Sequence, residues 1–444
     1  MNMNFYVLRL KICGIKNIEK PVEFNFYKKT IADDFNPDKF KIKAIYGENG
    51  SGKTAIITSV KMLQNLLLEK NYLSDNDTQR YLVEMINKRT QKGYIECEYY
   101  VKLDSLKFIM NYRVDFKLKE DGRLYITHEL LQQKKGSYSK NKYNTVYATK
   151  DGSLVEYADK DSFDYYKEKT LNLLDKQTFA TSLLEIDIDK KHLDKSDSQT
   201  ITTLLILFAL FMYVSIDEAD NHQNYVFREK IKELDEEKIK VVGADIIQQI
   251  SRKVLKGNDN DRTIPKKVFG RYKKRVERLF EFIKIFKPDL QKIEIEKKDF
   301  DKYYRCNLRM VYEDYTLDKE FESRGIKKLM DLFTYLDAAS SGAVVFIDEL
   351  DACINDVYLD KLIEYFVYYG KGQLCFTSHN LSPMSVLKSN TNSINFISSI
   401  NTVHTWTNSG NSSPENAYKN GFIEDSPFNV DASDFLGIFG DADE

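Results

Sequence analysis

The segment Tyr46–Thr54 reads "YGENGSGKT" and spaces Gly47, Gly52, Lys53 and Thr54 as G-x-x-x-x-G-K-T. Small residues here, Gly50, Ser51 and Gly52 after Gly47 and Asn49, let successive backbone N–H groups close around a phosphate. Lys53 then reaches the outer phosphate oxygens, and Thr54 offers a hydroxyl to Mg²⁺. The helix that follows points its positive end at the anion. The chemistry these types allow is polyphosphate binding.

Three further stretches carry complementary groups. "GAVVFIDELDACIND" sets the apolar run Val344–Ile347 before Asp348 and Glu349. Such a run predicts a strand buried on both faces, with its acids emerging at the C-terminal end. Asp348 would there hold Mg²⁺, and Glu349 would orient and deprotonate an attacking water. "GQLCFTSHN" repeats the logic: Leu374–Phe376 is a short apolar strand, followed by Thr377, Ser378 and His379. His379 in that place can donate to a terminal phosphate. "KEFESRGIKKLMDL" opens a helix whose Ile326, Leu329, Phe333 and Leu336 share one face. At its head Ser323 can simply cap the helix, or combine with the Gly325 N–H as an anion site.

The elements that must position these groups are legible as patterns. Leu8, Leu10 and Ile12 alternate with charges, as do Val22, Phe24 and Phe26, so two half-buried strands open the chain. "KFKIKAIYG" alternates into the glycine-rich loop, and Ile56, Val60, Leu63 and Leu67 predict the helix after it. A β-meander follows from Tyr94 to His128, with a hairpin turn at Glu120–Arg123. From Glu185 to Leu290 the chain reads as helical and charge-rich. Its basic stretch 262–287 sets Val268, Tyr272, Val276, Leu279 and Ile283 on one face. Strand alternation resumes at "QKIEIE" and "RCNLRMVYEDY". Two α/β segments thus flank a helical insertion: residues 1–184 and 291–405 as halves of one domain, 185–290 as a lid, and 406–444 as an acidic tail.

Composition narrows the setting. The 444 residues are 42% apolar and carry a net charge of −2, so any bias toward nucleic acid is local. Five scattered cysteines form no CxxC pair, which suits a reducing compartment. The N-terminus lacks the layout of a signal peptide. The apolar run Thr200–Ile216 has acidic flanks and reads as a buried helix rather than a membrane span. These features predict a cytoplasmic location without a membrane partner.

In this order the phosphate loop, "ESRGIKKL", "VVFIDELD" and "FTSHN" resemble the ABC-type AAA ATPases. The likeness is to the branch holding SMC-like repair ATPases, OLD-family proteins and the ATPase subunits of PARIS, AbiL and RloA-like antiphage systems. It implies an α/β, ABC-ATPase-like P-loop domain with an N-terminal antiparallel β subdomain and a helical lid insertion. ATP and Mg²⁺ are the implied ligands, with Thr54, Asp348 and a glutamine-loop residue, Gln177, at the metal. Ser323 and Gly325 fall on the signature element, which contacts the γ-phosphate held by the opposite protomer of a head-to-tail dimer. The branch implies control of a separate TOPRIM-like or other nuclease effector; the alternative is a DNA-repair ATPase, with the basic 262–287 helix on nucleic acid. Two departures, Ile326 in place of Thr and Ile354-Asn355 in place of Leu-His or Leu-Asp, point to slow turnover.

Overall fold

A computed structural model of the chain describes residues 3–27, 35–103, 106–136, 142–189, 197–216, 263–390, 392–407 and 413–426. The first half runs β1 (Met3–Cys13), β2 (Val22–Asn25), β3 (Ile42–Tyr46), α1 (Lys53–Leu68), α2 (Asn76–Met85), β4 (Lys92–Leu103) and β5 (Leu106–Leu118). It continues with β6 (Leu124–Lys135), β7 (Asn144–Lys150), β8 (Ser153–Tyr157), α3 (Lys160–Lys169), α4 (Phe179–Asp189), α5 (Asp197–Phe211) and β9 (Met212–Ser215). The second half holds β10 (Thr263–Pro265), α6 (Phe269–Phe286), β11 (Lys292–Asp299), β12 (Tyr303–Val311), β13 (Thr316–Asp318) and α7 (Arg324–Ser340). It closes with β14 (Val344–Ile347), α8 (Asp356–Tyr369), β15 (Gln373–Thr377), α9 (Pro383–Leu387), β16 (Ile394–Ile397), β17 (Val403–Thr405) and α10 (Pro414–Lys419).

The strands form an α/β architecture of three sheets. Seven strands in the order β2-β1-β4-β5-β6-β7-β8 make an antiparallel N-terminal subdomain. A six-stranded sheet, β17-β16-β3-β15-β14-β9, is parallel except for the edge pair β16–β17. A small sheet of β10–β13 completes the set. The meander expected to end at His128 therefore runs on to Tyr157, and Gly122 at φ +74° makes the expected turn at 120–123.

The parallel sheet is covered on both faces, which is why its strands are continuous apolar runs. Ile45, Val344, Phe346, Cys375 and Ile397 face the antiparallel subdomain with α1 and α5. Ile42, Ala44, Tyr46, Val345, Ile347, Leu374 and Phe376 face α6, α7 and α8. Gln373 locks the two sheets together: its amide nitrogen donates to the Val7 carbonyl at 2.9 Å, and its oxygen accepts from the Val7 N–H at 2.8 Å.

Two boundaries shift from the sequence reading. Residues 197–215, placed in the lid, instead give the buried helix α5 and then β9, which pairs in parallel with β14. Residues 217–262 of that lid lie outside the described residues. Part of the tail is also core: Tyr418 of α10 stacks on Phe396 with ring centres 5.3 Å apart. Among the described residues no helix is long and apolar enough to cross a membrane.

Among the buried ionisable groups of the described residues is a lysine of the parallel sheet. Lys43 of β3 is 1% exposed, and its ammonium donates to the Asn392 carbonyl and to Asn395 Oδ1, both at 2.6 Å. Among the described residues no carboxylate pairs with it, and burial pulls its pKa down to about 7. Between that value and the ordinary lysine range, near 10.5, the unfolded chain holds a proton that the folded chain has released. Stability therefore rises with pH across this window and is lost as pH falls through about 7. We expect the melting temperature of the wild type, relative to Lys43→Met, to climb between pH 6 and pH 9 in thermal scans. A constant difference would mean that Lys43 stays charged.

Candidate functional site

Gly47–Thr54 connects the C-terminal end of β3 to α1, at the edge where parallel strands present their loops. Gly52 adopts φ +113°, a left-handed conformation open to glycine. A Cβ on Gly47 would lie 2.4 Å from the Ile397 carbonyl and 2.5 Å from Ser51 Oγ, so that position admits no side chain. The first turn of α1 has neither a side-chain cap nor an acidic residue, which leaves its N–H groups for an anion. Ser51 Oγ is buried without a hydrogen-bond partner. The Lys53 ammonium donates to the loop carbonyls of Gly47 and Glu48, at 2.8 and 2.9 Å. Burial lowers its pKa, opposed by Asp348, Glu349, Asp351 and Glu48. An uncapped helix, an unpartnered hydroxyl and an inward-folded lysine fit a bound polyphosphate. Thr54, at the second residue of α1, is half-buried. Asn49 and Gly50 are exposed at the loop tip, where Asn17 donates to the Gly50 carbonyl.

Asp348 and Glu349 leave β14 two strands away, at the same edge. Their backbone is fixed from both sides. The Asp348 N–H donates to the Ser215 carbonyl of β9 at 2.9 Å, and the Leu350 N–H to the Thr377 carbonyl of β15 at 3.1 Å. Thr377 matters more than its place in the sequence suggested. Its buried hydroxyl donates to Asp348 Oδ1 at 2.5 Å and accepts from the Glu349 N–H at 2.8 Å. Glu349 is held at φ +49°, left-handed for a non-glycine residue, with its side chain exposed. Asp351 is the second residue the sequence reading passed over. Its carboxylate accepts from the His379 and Asn380 N–H groups at 3.3 and 3.1 Å, and so sets the loop that exposes His379. Neither role was visible in one dimension, because both rest on pairing between β14 and β15.

Ser323 and Gly325, expected on a signature element, lie at the head of α7. α7 rises about 25 Å and β14 returns only about 13 Å, so the start of the helix overhangs the strand end. A Cβ on Gly325 would meet Cys353 at 3.7 Å. Ser323 is exposed, and its hydroxyl accepts the Ile326 N–H at 3.3 Å, so it does cap α7. Ile326 turns into the core, and Asn355 caps α8 by accepting the Val357 N–H at 3.1 Å.

Gln177 is not brought to the loop. Its amide donates to Ser182 Oγ at 2.5 Å, and the neighbouring Thr178 hydroxyl donates to the Leu66 carbonyl in the last turn of α1. From Lys53 to Leu66 that helix rises about 20 Å, too far for a shared metal. The basic helix is also less free than its sequence implied. Arg275 is buried and donates to Thr334 at 2.6 Å, and Arg278 pairs with Asp337 at 2.6 Å, while Arg271, Lys273 and Lys274 stay exposed. Arg262 lies outside the described residues.

A family model described as "AAA domain, putative AbiEii toxin, Type IV TA system" matches residues 42–384, a span that holds the phosphate loop, Asp348, Glu349 and His379. No curated protein matches the chain. Among solved structures, the Smc head bound to the C-winged helix domain of ScpA is similar at 15% identity and a TM-score of 0.45, covering 93% of this chain and 99% of that one. The Smc head domain with an extended coiled coil, bound to the C-terminal domain of ScpA derived from Pyrococcus furiosus, gives 15% identity and 0.43, covering 91% and 96%.

Proposed function

Because the chain belongs to the family described as AAA domain, putative AbiEii toxin, Type IV TA system, we propose that it hydrolyses ATP between two copies of itself. The observation that carries this reading is the pairing of an uncapped phosphate loop with Asp348 and Glu349, two strands away on one sheet edge. Lys53, Ser51 Oγ and the first N–H groups of α1 bind the phosphates. Thr54 and Asp348 would hold Mg²⁺, which neutralises phosphate charge when bound. Glu349 takes the proton of the attacking water, and His379 donates to the terminal phosphate. Ser323, exposed at the helix start, and the half-buried Gly325 beside it act on the phosphates of the other copy. Phosphate release in Mg-ATP, lost with Lys53→Ala, tests the hydrolytic part; release unaffected by Lys53→Ala would refute it.

Thr377 positions both acids. Thr377→Val removes the donor to Asp348 and the acceptor for the Glu349 N–H, leaving two polar groups unpaired. We expect kcat to fall about 10–100-fold, with ATP affinity unchanged and with recovery in Thr377→Ser. Equal kcat for the Val and wild-type proteins would make Thr377 a packing residue only.

For the cellular role we propose control of an effector in antiphage defence, a reading the family likeness supports. An ATP-closed dimer would hold a separate nuclease or other toxic effector, and infection would release it. The exposed Arg271, Lys273 and Lys274 favour the DNA-handling alternative. The two readings separate in plating assays with the flanking genes present. Protection that Lys53→Ala abolishes supports defence; hydrolysis stimulated by duplex DNA, without protection, supports DNA handling.

A further inference from the structure

At the N-terminal ends of β3 and β15, opposite the phosphate loop, a cleft of about 510 Å³ opens between the end of α8 and the turn before β16. Lys39, Lys41 and Lys371 line it against one acid, Asp38. Lys41 is engaged by the Gly370 carbonyl at 2.7 Å, which leaves Lys39 and Lys371 exposed to a ligand. Ser393, 1% exposed, also lines the cleft, and its hydroxyl has no hydrogen-bond partner. At the rim Tyr368 is 68% exposed beside Tyr369, itself 70% exposed, with ring centres 6.3 Å apart. Adjacent exposed phenols over a basic cleft have the composition of a docking face rather than a solvated one.

The chain holds a complementary segment. Residues 427–444 carry Asp431, Asp434, Asp441, Asp443 and Glu444, no lysine or arginine, and the apolar Phe428, Phe435, Leu436 and Phe439. Its starting point is fixed, because the Asp425 carboxylate accepts from the Ser399 N–H and hydroxyl at 2.9 and 2.6 Å. Ser393 and Ser399 flank β16, so start and cleft lie about 20 Å apart along that strand. A segment of this length reaches about 60 Å when extended. At the phosphate-loop edge the segment would meet Glu48, Asp348, Glu349 and Asp351, whose charges repel it. At the far edge it meets lysines and tyrosines. A tether this short also gives an effective concentration on the order of millimolar, so modest complementarity suffices.

We propose that residues 427–444 dock in cis on the Lys39–Lys371 cleft, with their acids beside the two lysines and an aromatic ring against Tyr368. Chymotryptic cleavage after Phe435 and Phe439 in the full chain tests this at low salt. Lys39→Glu/Lys371→Glu should speed cleavage about ten-fold, as should 0.5 M salt with wild type, since both weaken the charge pairing. Tyr368→Ala, which changes no charge, should also speed it. Melting temperatures show whether the variants keep their fold. Cleavage unmoved by all three changes overturns the proposal. Dilution settles the source of the segment: protection independent of protein concentration supports cis docking, and protection lost on dilution assigns the cleft to a second copy and overturns it.

Discussion

Glu349→Gln should reduce turnover about 10²–10⁴-fold, the span of a lost general base, while ATP stays bound and the protein accumulates as an ATP-dependent dimer. Glutamine fits the same space but accepts no proton. The backbone that aims the side chain, at φ +49° and tied to Thr377, does not depend on the carboxylate. Binding groups are untouched, because Lys53, Ser51 and the start of α1 lie on another loop. The closed state therefore forms and cannot be discharged. Phosphate release together with light scattering of the eluted protein reads both halves of this expectation. Near-normal hydrolysis in the variant would remove Glu349 from the base role.

Ser323→Arg should abolish hydrolysis, by at least about 100-fold, without weakening the binding of a fluorescent ATP analogue. Loss of the α7 cap costs only about 1 kcal/mol, so the fold persists. The new side chain would occupy the space that the partner's phosphates must enter. Ser323 caps its helix in the single chain, and a residue that did no more than cap would give an active variant with a slightly lower melting temperature. Full activity in Ser323→Arg thus separates capping from catalysis across the dimer.

Much of this site was legible because its parts are local. Gly47, Gly52, Lys53 and Thr54 need only the loop between one strand and one helix, and the run Val344–Ile347 emerged with the strand bounds its apolarity set. The predicted helix head at Ser323 holds for the same reason. What escaped is non-local. Thr377 acts through a neighbouring strand, and β9 was hidden because Met212–Ser215 continues the apolar run of α5 without a turn residue to mark the change. Gln177 misled because a glutamine before an apolar helix has the right local look, while the fold carries it to the far end of α1. Which charges of the basic helix reach solvent was not legible, because charge counts in sequence take no account of direction, and Arg275 turns inward.

The central claim, that each ATP site is completed by the other copy, is tested most directly by mixing two inactive proteins. Lys53→Ala lacks the phosphate-loop lysine but keeps Ser323 and Gly325; Ser323→Arg has the reverse. A mixed dimer contains one intact composite site, so equal mixing should restore about one quarter of wild-type hydrolysis at random assortment. Activity that stays at the level of the separate variants would mean that each chain hydrolyses ATP alone, and would contradict the account.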